Sequence, residues 1–238
     1  MDMDYKQHYQ RDAREFDYWG ANQFSPAETR RLQTIFELCP LQAGQRVLDI
    51  GSGRGWFARY AAESGAQVTA VDLSEDNLQK IKALDSRIET IVGDACDLPI
   101  TDKLYDWIVA IEVLEHLTDP KTALQNWLKL LKPEGRLLLV VPDKEVLAYT
   151  LCIHCHQKTP VNAHLHSFDQ DSLIKLLNKT GYWVKDTRLF LHKLLTHLRL
   201  VNVLSWLPYR MWRRLDRLCA IAGKRYHYLA VVACQARH

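Results

Sequence analysis

The sequence predicts an α/β fold in which a seven-stranded, mostly parallel sheet carries helices on both faces. From Arg46 onward, short apolar segments alternate with glycine or Asp/Ser turns and with helical segments, which is typical of a parallel sheet covered by helices. The chain has 238 residues, 47% of them hydrophobic. This length suits one large core and is short for two domains.

Seven segments have the composition and length of strands. They are 46–50, 67–72, 88–92, 105–111, 135–141, 182–190 and 226–236. Helices are predicted between them at 55–64, 74–84, 120–131 and 169–180. Lys132, Pro133 and Gly135 end the third of these helices and Gly181 ends the fourth, because glycine and proline stop helices.

Residues 1–40 are predicted to form a helical arm or lid that precedes a ligand-binding domain at 41–238. The helix after Ser25 begins with a capping box and a proline in its first position. Before it, four aromatic residues could cover a binding site, although packing of the arm on the core is the more ordinary explanation. They are Tyr9, Phe16, Tyr18 and Trp19.

Residues 143–168 are predicted to form an inserted loop rich in histidine and cysteine. Cys152, Cys155, His164 and His166 could bind a structural zinc ion with tetrahedral geometry. Their spacing, C-x2-C-x8-H-x-H, departs from that of common zinc fingers, and a loop without metal is the alternative. The six cysteines are otherwise scattered, which favours reduced thiols.

Residues 191–223 are predicted to form a helical insertion that is apolar and then basic. Such a segment could contact an anionic membrane surface at its periphery, or it could pack on the core with a solvated basic face. No segment reaches the roughly 20 apolar residues of a membrane span. The polar N-terminus lacks the features of a signal peptide, so a cytoplasmic protein is expected.

The net charge of +3 does not indicate a nucleic-acid partner, since dedicated nucleic-acid binders carry denser basic patches. The oligomeric state is not predicted.

The segment VLDIGSGRG places Gly51, Gly53 and Gly55 between a strand and a helix, where glycine permits a tight turn and close approach of a ligand. Asp72 ends the next strand and could accept hydrogen bonds from two ribose hydroxyls. A nicotinamide oxidoreductase would share both features. Its fingerprint is G-x-G-x-x-G, however, and the spacing here is G-x-G-x-G.

Five segments occur in a characteristic order: VLDIGSGRG, VTAVDLS, GDACDLP, YDWIVAIEVLEHL and LKPEGRLLLVVP. Together they resemble the class I S-adenosylmethionine (SAM)-dependent methyltransferases of Rossmann-like fold, especially the group of ubiquinone and menaquinone biosynthesis enzymes. The resemblance is strong over 46–142 and weaker beyond. It implies SAM as methyl donor and S-adenosylhomocysteine as product.

The resemblance also implies which residues contact the cofactor. The methionine end of SAM would contact Asp49, Gly51, Ser52, Gly53 and Gly55. Asp72 would bind the ribose, Leu73 would contact the face of the adenine ring, and Asp94 and Ala95 would contact its edge. Glu112 and Val113 would line the floor beneath the methyl group.

Methyl transfer from a sulfonium is an in-line displacement, so the protein mainly positions the acceptor and sometimes deprotonates it. In EVLEH, Glu112, Glu115 and His116 share one face of a helical turn. His116, with Glu115, is the candidate base. The same pattern resembles that of two metal-dependent relatives, the quinone-pathway O-methyltransferases and the small-RNA 3′-end methyltransferases. In the latter, a further histidine matches His164 or His166, although many relatives carry EVLEH without metal.

We therefore expect a SAM-dependent methyltransferase acting at oxygen or carbon of a small-molecule or lipid-like acceptor. One alternative is metal-assisted methylation of RNA ends or of a catechol-type acceptor, and the modest charge argues against RNA. A second alternative is a methyltransferase-like protein that binds SAM without turnover. An NAD-dependent oxidoreductase is the remaining one.

Overall fold

The computed structural model describes residues 5–16, 19 and 24–236. The helices are α1 (Tyr5–Glu15), α2 (Pro26–Leu38), α3 (Trp56–Glu63), α4 (Glu75–Leu84), α5 (Pro120–Lys129), α6 (Gln170–Lys179), α7 (Lys193–His197), α8 (Leu200–Val203) and α9 (Tyr209–Leu218). The strands are β1 (Arg46–Ile50), β2 (Gln67–Asp72), β3 (Glu89–Val92), β4 (Tyr105–Ile111), β5 (Leu131–Pro142), β6 (Tyr149–Leu151), β7 (Lys158–Pro160), β8 (Tyr182–His192) and β9 (Tyr226–Gln235).

The main sheet has seven strands in the order β3-β2-β1-β4-β5-β9-β8. The first five are parallel, and β9 runs antiparallel to both of its neighbours. The predicted seven-stranded, mostly parallel sheet is therefore confirmed. An antiparallel strand between β5 and β8 also distinguishes this sheet from the dinucleotide-binding order 3-2-1-4-5-6.

Side chains alternate across the sheet and fill one apolar layer on each face. Leu48 and Ile50 of β1 pack in a layer with α5 and α6, whereas Val47 packs on the opposite face with α2, α3 and α4. The sheet is thus buried on both sides. This explains why its central strands read as nearly continuous apolar runs.

Strand β5 begins at Leu131, four residues earlier than predicted, and α5 ends at Lys129. The ladder between β4 and β5 shifts register between Tyr105 and Trp107. Gly135 makes this possible, because a Cβ there would lie 2.8 Å from the Tyr105 carbonyl oxygen. Lys132-Pro133 therefore belongs to an irregular strand rather than to a helix stop.

The predicted capping box at the start of α2 is present. The Glu28 N–H donates to Ser25 Oγ at 3.2 Å, and the Ser25 N–H donates to Glu28 Oε2 at 2.8 Å. The bonds satisfy N–H groups that a helix start would leave unpaired.

Both inserted segments leave the sheet at strand ends. Residues 143–168 contain the β6–β7 hairpin and a short 3₁₀ turn, and residues 191–223 contain α7, α8 and α9. The second segment is fixed by the buried Asp216 carboxylate, which accepts the N–H groups of Leu191 and His192 at 3.0 and 2.7 Å. Among the described residues, the helices are all too short or too polar to cross a lipid bilayer.

Trp127 connects α5 to the sheet and generates a prediction on stability. Its side chain is fully buried, and its indole N–H donates to the Ala95 carbonyl at 2.7 Å. We expect Trp127→Ala to lower the free energy of unfolding by about 3–5 kcal/mol, because it leaves a large cavity and an unpaired carbonyl. Urea unfolding measures the change. Trp183→Ala, at a tryptophan that is 59% exposed, is the control, and an equal loss there would contradict the prediction.

Candidate functional site

A cavity of about 320 Å³ opens at the carboxyl ends of β1, β2 and β4. Ligands of open α/β sheets bind at this edge, because the turns after parallel strands meet there. The lining residues are Tyr5, Tyr9, Asp12, Ala13, Ile50, Gly51, Gly53, Arg54, Val71, Asp72, Leu73, Asn77, Gly93, Asp94, Ala95, Glu112, Val113, His116 and Leu117. Ten of the residues singled out from the sequence are among them.

The glycine turn forms one wall of the cavity, and all three glycines have positive φ. A Cβ on Gly51 would lie 2.5 Å from Val113 Cγ2, and a Cβ on Gly55 would lie 2.6 Å from Ile81 Cγ1. At Gly53 a Cβ would meet no protein side chain within 4 Å. Gly51 and Gly55 are thus required by neighbouring protein atoms, whereas Gly53 leaves open space on the side of the cavity.

Asp72 lies at the end of β2 with its carboxylate in the cavity wall. Its two oxygens accept the N–H groups of Gly53 and Ser74 at 2.7 and 2.8 Å, so the carboxylate also orients the glycine turn. Burial raises the pKa of Asp72, and these backbone N–H groups counteract the rise. A carboxylate oxygen has a second lone pair, so each can still accept a ligand hydroxyl.

Asp49 does not line the cavity, although the resemblance assigned it to the methionine end of the cofactor. It is buried beneath the glycine turn, where its Oδ2 has no hydrogen-bond partner among the described residues. Burial and the nearby Asp72 raise the pKa of Asp49 to about 8. Ser52 and Gly55 also lie outside the lining, because their side-chain positions point into the protein.

Asp94 lies at the adenine end assigned by the resemblance, but in this structure helix α1 occupies its carboxylate. The Tyr5 hydroxyl donates to its two oxygens at 2.8 and 2.7 Å, and the Lys6 ammonium lies 2.7 Å away. Burial acts to raise the pKa of Asp94, but the Lys6, Cys96 and Tyr5 donors outweigh it and the pKa is lowered.

Helix α1 covers the cavity with one face, formed by Tyr5, Tyr9, Asp12 and Ala13. Of the four aromatic residues proposed as a lid, Tyr9 lines the cavity, whereas Phe16 is exposed. Trp19 donates instead to Asn77 Oδ1 at 3.1 Å. The remaining one, Tyr18, lies outside the described residues.

The far end of the cavity is formed by the turn after β4. Glu112 has a left-handed backbone, with φ 55°, and its carboxylate forms an ion pair with Arg31 of α2. Val113 follows and faces Gly51. Because Arg31 already neutralises Glu112, this acid is not a free base.

Glu115, His116 and His164 form a cluster beside this end of the cavity, with one potential ligand atom of each within 4.8 Å of the others. The side chain of Glu115 is 1% exposed, and both of its oxygens lack hydrogen-bond partners among the described residues. Burial raises the pKa of Glu115 to about 8. An unpartnered buried carboxylate is costly, so this position needs either a proton or a cation.

His116 contacts the cavity from this cluster. Its Nδ1 lies 2.5 Å from the Tyr9 hydroxyl and 3.3 Å from the Ala163 carbonyl oxygen. A carbonyl can only accept, so the Ala163 contact is a hydrogen bond when Nδ1 carries the proton, and that tautomer leaves Nε2 with a lone pair. Burial and the adjacent His164 lower the pKa of His116 to about 4, so the ring is neutral at neutral pH.

The structure does not bring the four proposed zinc ligands together. His164 Nδ1 bonds to Glu145, and His166 Nε2 lies 2.8 Å from the Leu117 carbonyl oxygen. Cys152 and Cys155 lie at the tip of the β6–β7 hairpin, and within 5–16, 19 and 24–236 neither belongs to a group of three potential ligands. The N–H bonds of residues 165 and 166 to the Glu115 carbonyl hold both histidines against the turn after β4 instead, away from the cysteines.

The comparisons with known proteins identify the family. A profile described as a methyltransferase domain matches residues 18–186, so the chain belongs to this methyltransferase family, as the motif order indicated. It is 32% identical to the O-methyltransferase resE of Aspergillus sclerotiorum over 60% of this chain and 56% of that protein. It is also 32% identical to the mitochondrial ubiquinone biosynthesis O-methyltransferase of Schizosaccharomyces pombe, over 61% and 58%.

The chain thus spans somewhat more than half the length of these two curated relatives. Among solved structures, a SAM-dependent methyltransferase from Mesorhizobium loti superposes with a TM-score of 0.65 at 18% identity, covering 89% of this chain and all of that one. This likeness supports the class I methyltransferase fold.

Several lining residues were not predicted from the sequence. Tyr5, Asp12 and Ala13 were missed; with the predicted Tyr9 they recur at i, i+4, i+7 and i+8, which is the spacing of one helix face and was the available signal. Asn77 and Arg54 carry no comparable signal, because their place in the wall depends on how α4 and the glycine turn pack.

The bonds from α1 to Asp94 generate a second prediction. Asp94→Asn removes the charge that Lys6 and Tyr5 bind, so amide hydrogen exchange in 5–15 should rise about tenfold. Hydrogen-exchange mass spectrometry measures it, with exposed Asp102→Asn as control. The pKa of Asp94 is lower in the folded protein than its ordinary value. In the wild type, the protection of the α1 amides should therefore be complete above the ordinary pKa of aspartate, and it should be lost as the pH falls through the lowered pKa of Asp94. Unchanged exchange in Asp94→Asn would show that α1 is held by other contacts.

Proposed function

We propose that this protein is a SAM-dependent methyltransferase that methylates a hydroxyl oxygen of a small organic acceptor. The observation that carries the proposal is a single cavity with the glycine turn and Asp72 on one wall and the neutral imidazole of His116 at its far end. The names of the two curated relatives, both O-methyltransferases, support oxygen as the acceptor atom.

The residues around the cavity fit SAM. Asp72 can accept the two ribose hydroxyls, and the missing Cβ of Gly53 leaves room beside them. Asp49 and Asp72 place acidic groups near the glycine turn, where the cofactor's cationic methionine end is expected. When bound, SAM supplies an electrophilic methyl group on a positively charged sulfur.

The chain's own residues then act on the acceptor. Its oxygen attacks the methyl carbon while the bond from carbon to sulfur breaks, and the hydroxyl proton passes to Nε2 of His116. Tyr9 and the Ala163 carbonyl hold the ring through Nδ1, and Leu117 and Val113 exclude water around it. A positioned base contributes about 10²- to 10⁴-fold to such a transfer.

Binding of SAM is tested by calorimetry on the Asp72→Asn variant. Loss of charge at 72 weakens two charge-assisted hydrogen bonds to the ribose, so we expect the Kd for SAM to rise about 100-fold. Glu75→Gln, at an exposed acid three residues further on, should leave the Kd unchanged. If the wild-type protein takes up neither SAM nor S-adenosylhomocysteine, the proposed function fails. Uptake of NAD in its place would restore the oxidoreductase alternative.

Turnover is tested with a panel of catechols and other phenols by following formation of S-adenosylhomocysteine. We expect His116→Asn to lower kcat about 10²- to 10⁴-fold and to leave the Kd for SAM within a few-fold, because His116 lies at the opposite end of the cavity. His154→Asn, at an exposed histidine, is the control. SAM binding without turnover on this panel and with cell extract would support a non-catalytic SAM-binding protein.

A second candidate, metal-assisted methylation, is favoured by the unpartnered oxygens of Glu115. Glu115, His116 and His164 would supply the ligands of a divalent cation, and Glu145 would orient His164 through Nδ1. Two imidazoles and one carboxylate suit zinc, manganese or iron. Bound there, a cation would lower the pKa of an acceptor hydroxyl.

Metal removal separates the two candidates. If the reaction is metal-assisted, chelation abolishes turnover. His164→Ala then lowers kcat as much as His116→Asn does, and it removes the binding of Mn²⁺ measured by calorimetry. His166→Ala, in the same loop but bonded to the Leu117 carbonyl, is the control that should keep Mn²⁺ binding. With His116 acting as a base alone, chelated protein and His164→Ala both retain turnover.

A further inference from the structure

Exposed apolar side chains are concentrated in the two segments that interrupt the sheet after β5 and β8. Of the 17 large hydrophobic side chains that are exposed in the described residues, 12 lie in 143–168 or 191–223. The most exposed are Ile153 at 94%, Ile221 at 89%, Val146 at 87% and Trp206 at 75%. Single exposed apolar residues are ordinary, but such a concentration marks an interaction surface.

The sheet topology brings both segments to the same edge. Pro142 at the end of β5 pairs with Tyr228, and His192 at the end of β8 pairs with Tyr226, so the two strand ends flank the start of β9. His227 contacts both segments, accepting the Asp143 N–H at 3.0 Å through its carbonyl and lying 2.7 Å from Thr196 Oγ1 through Nε2. This edge also carries the cavity, since β4 and β5 are parallel.

The charge of the helical segment is one-sided. Residues 191–223 contain six lysines and arginines but one acid, Asp216, which is buried and bonded to backbone N–H groups. The whole chain has a net charge of only +3. In the part of the chain that the structure describes, Arg213 pairs with Glu37, whereas Arg210, Arg214 and Arg217 form no ion pair.

Helix α9 presents this charge together with apolar side chains. Trp212 and Asp216 face the protein interior, and Arg210, Arg214 and Arg217, at i, i+4 and i+7, form a row on the opposite side. Next to that row lie two exposed apolar residues, Met211 at 53% and Leu218 at 62%. An apolar strip beside arginines suits a bilayer interface, where apolar side chains insert and the guanidinium groups reach phosphates.

We propose that the exposed apolar residues of 143–168 and 191–223, with Arg210, Arg214 and Arg217, form a lipid face that docks on an anionic bilayer. The docked chain has its cavity edge toward the membrane, so an apolar acceptor can enter from the lipid. The docking concerns where the chain lies and does not depend on the proposed methyl transfer.

A lipid surface fits this face better than a second copy of the chain. In a symmetric dimer the same patch meets itself, so the unpaired arginines of both copies would lie close together with no exposed acid between them. Anionic lipid phosphates complement the row of arginines, because basic residues close to a membrane surface are attracted by its negative potential.

Vesicle flotation with the full chain tests the lipid face. Vesicles of phosphatidylcholine mixed with phosphatidylglycerol should carry the protein to the top of the gradient, and pure phosphatidylcholine should not. The variant R210E/R214E/R217E and the variant W206S/I221S should each lower the partition coefficient at least tenfold. The matched control K121E/K175E/K179E makes the same charge change on exposed residues of α5 and α6 and should bind as the wild type does.

Thermal melts and SAM calorimetry on each variant show whether the fold and cofactor site persist. A variant that keeps the wild-type melting temperature but no longer floats with the vesicles supports the lipid face. Absence of flotation with phosphatidylglycerol, or an equal loss in the control variant, overturns it. A dimer in light scattering that W206S/I221S dissociates would assign the face to a second copy and also overturn the proposal. None of these readouts requires turnover, so failure here is distinct from failure of the proposed function.

Discussion

The candidate site depends on the close approach of the glycine turn after β1 to the turn after β4. Gly51 faces Val113 so closely that a Cβ at 51 would lie 2.5 Å from Val113 Cγ2. The positive φ of Gly51, 67°, allows the bend that makes this approach. Because the two turns meet there, they fix the distance between the wall that holds Asp72 and the end that holds His116.

Burial, rather than pairing, sets the protonation of the acids beneath the cavity. Asp49 and Glu115 are buried, each has at least one oxygen without a partner among the described residues, and the pKa of both is raised to about 8. Asp94 differs because Lys6 and Tyr5 bind its carboxylate and its pKa is lowered. Unpaired buried acids favour a cationic ligand, since a positive charge nearby restores their ionised form. The sulfonium and ammonium groups of SAM, and a divalent cation at Glu115, are both consistent with this charge distribution.

Much of the fold could be predicted because its signals are local. The alternation of strands and helices, the capping box at Ser25 and the acid that ends β2 depend on neighbours only a few residues away. Three features could not be predicted from the spacing of residues in the sequence. Asp49 lies beneath the turn rather than in the wall, β5 begins early through a register shift at Gly135, and His164 faces Glu115 rather than the cysteines. Each depends on the direction of a side chain or on strand register.

The sequence by itself determined the family, the seven strands and the glycine turn after β1, since glycine spacing and apolar periodicity are properties of short segments. Only the tertiary structure decided which histidine joins Glu115 and His116, that α1 occupies Asp94, and that two distant insertions share one edge. These arrangements join residues 34 to 89 positions apart in the chain. They depend on packing between elements, which local sequence patterns do not specify.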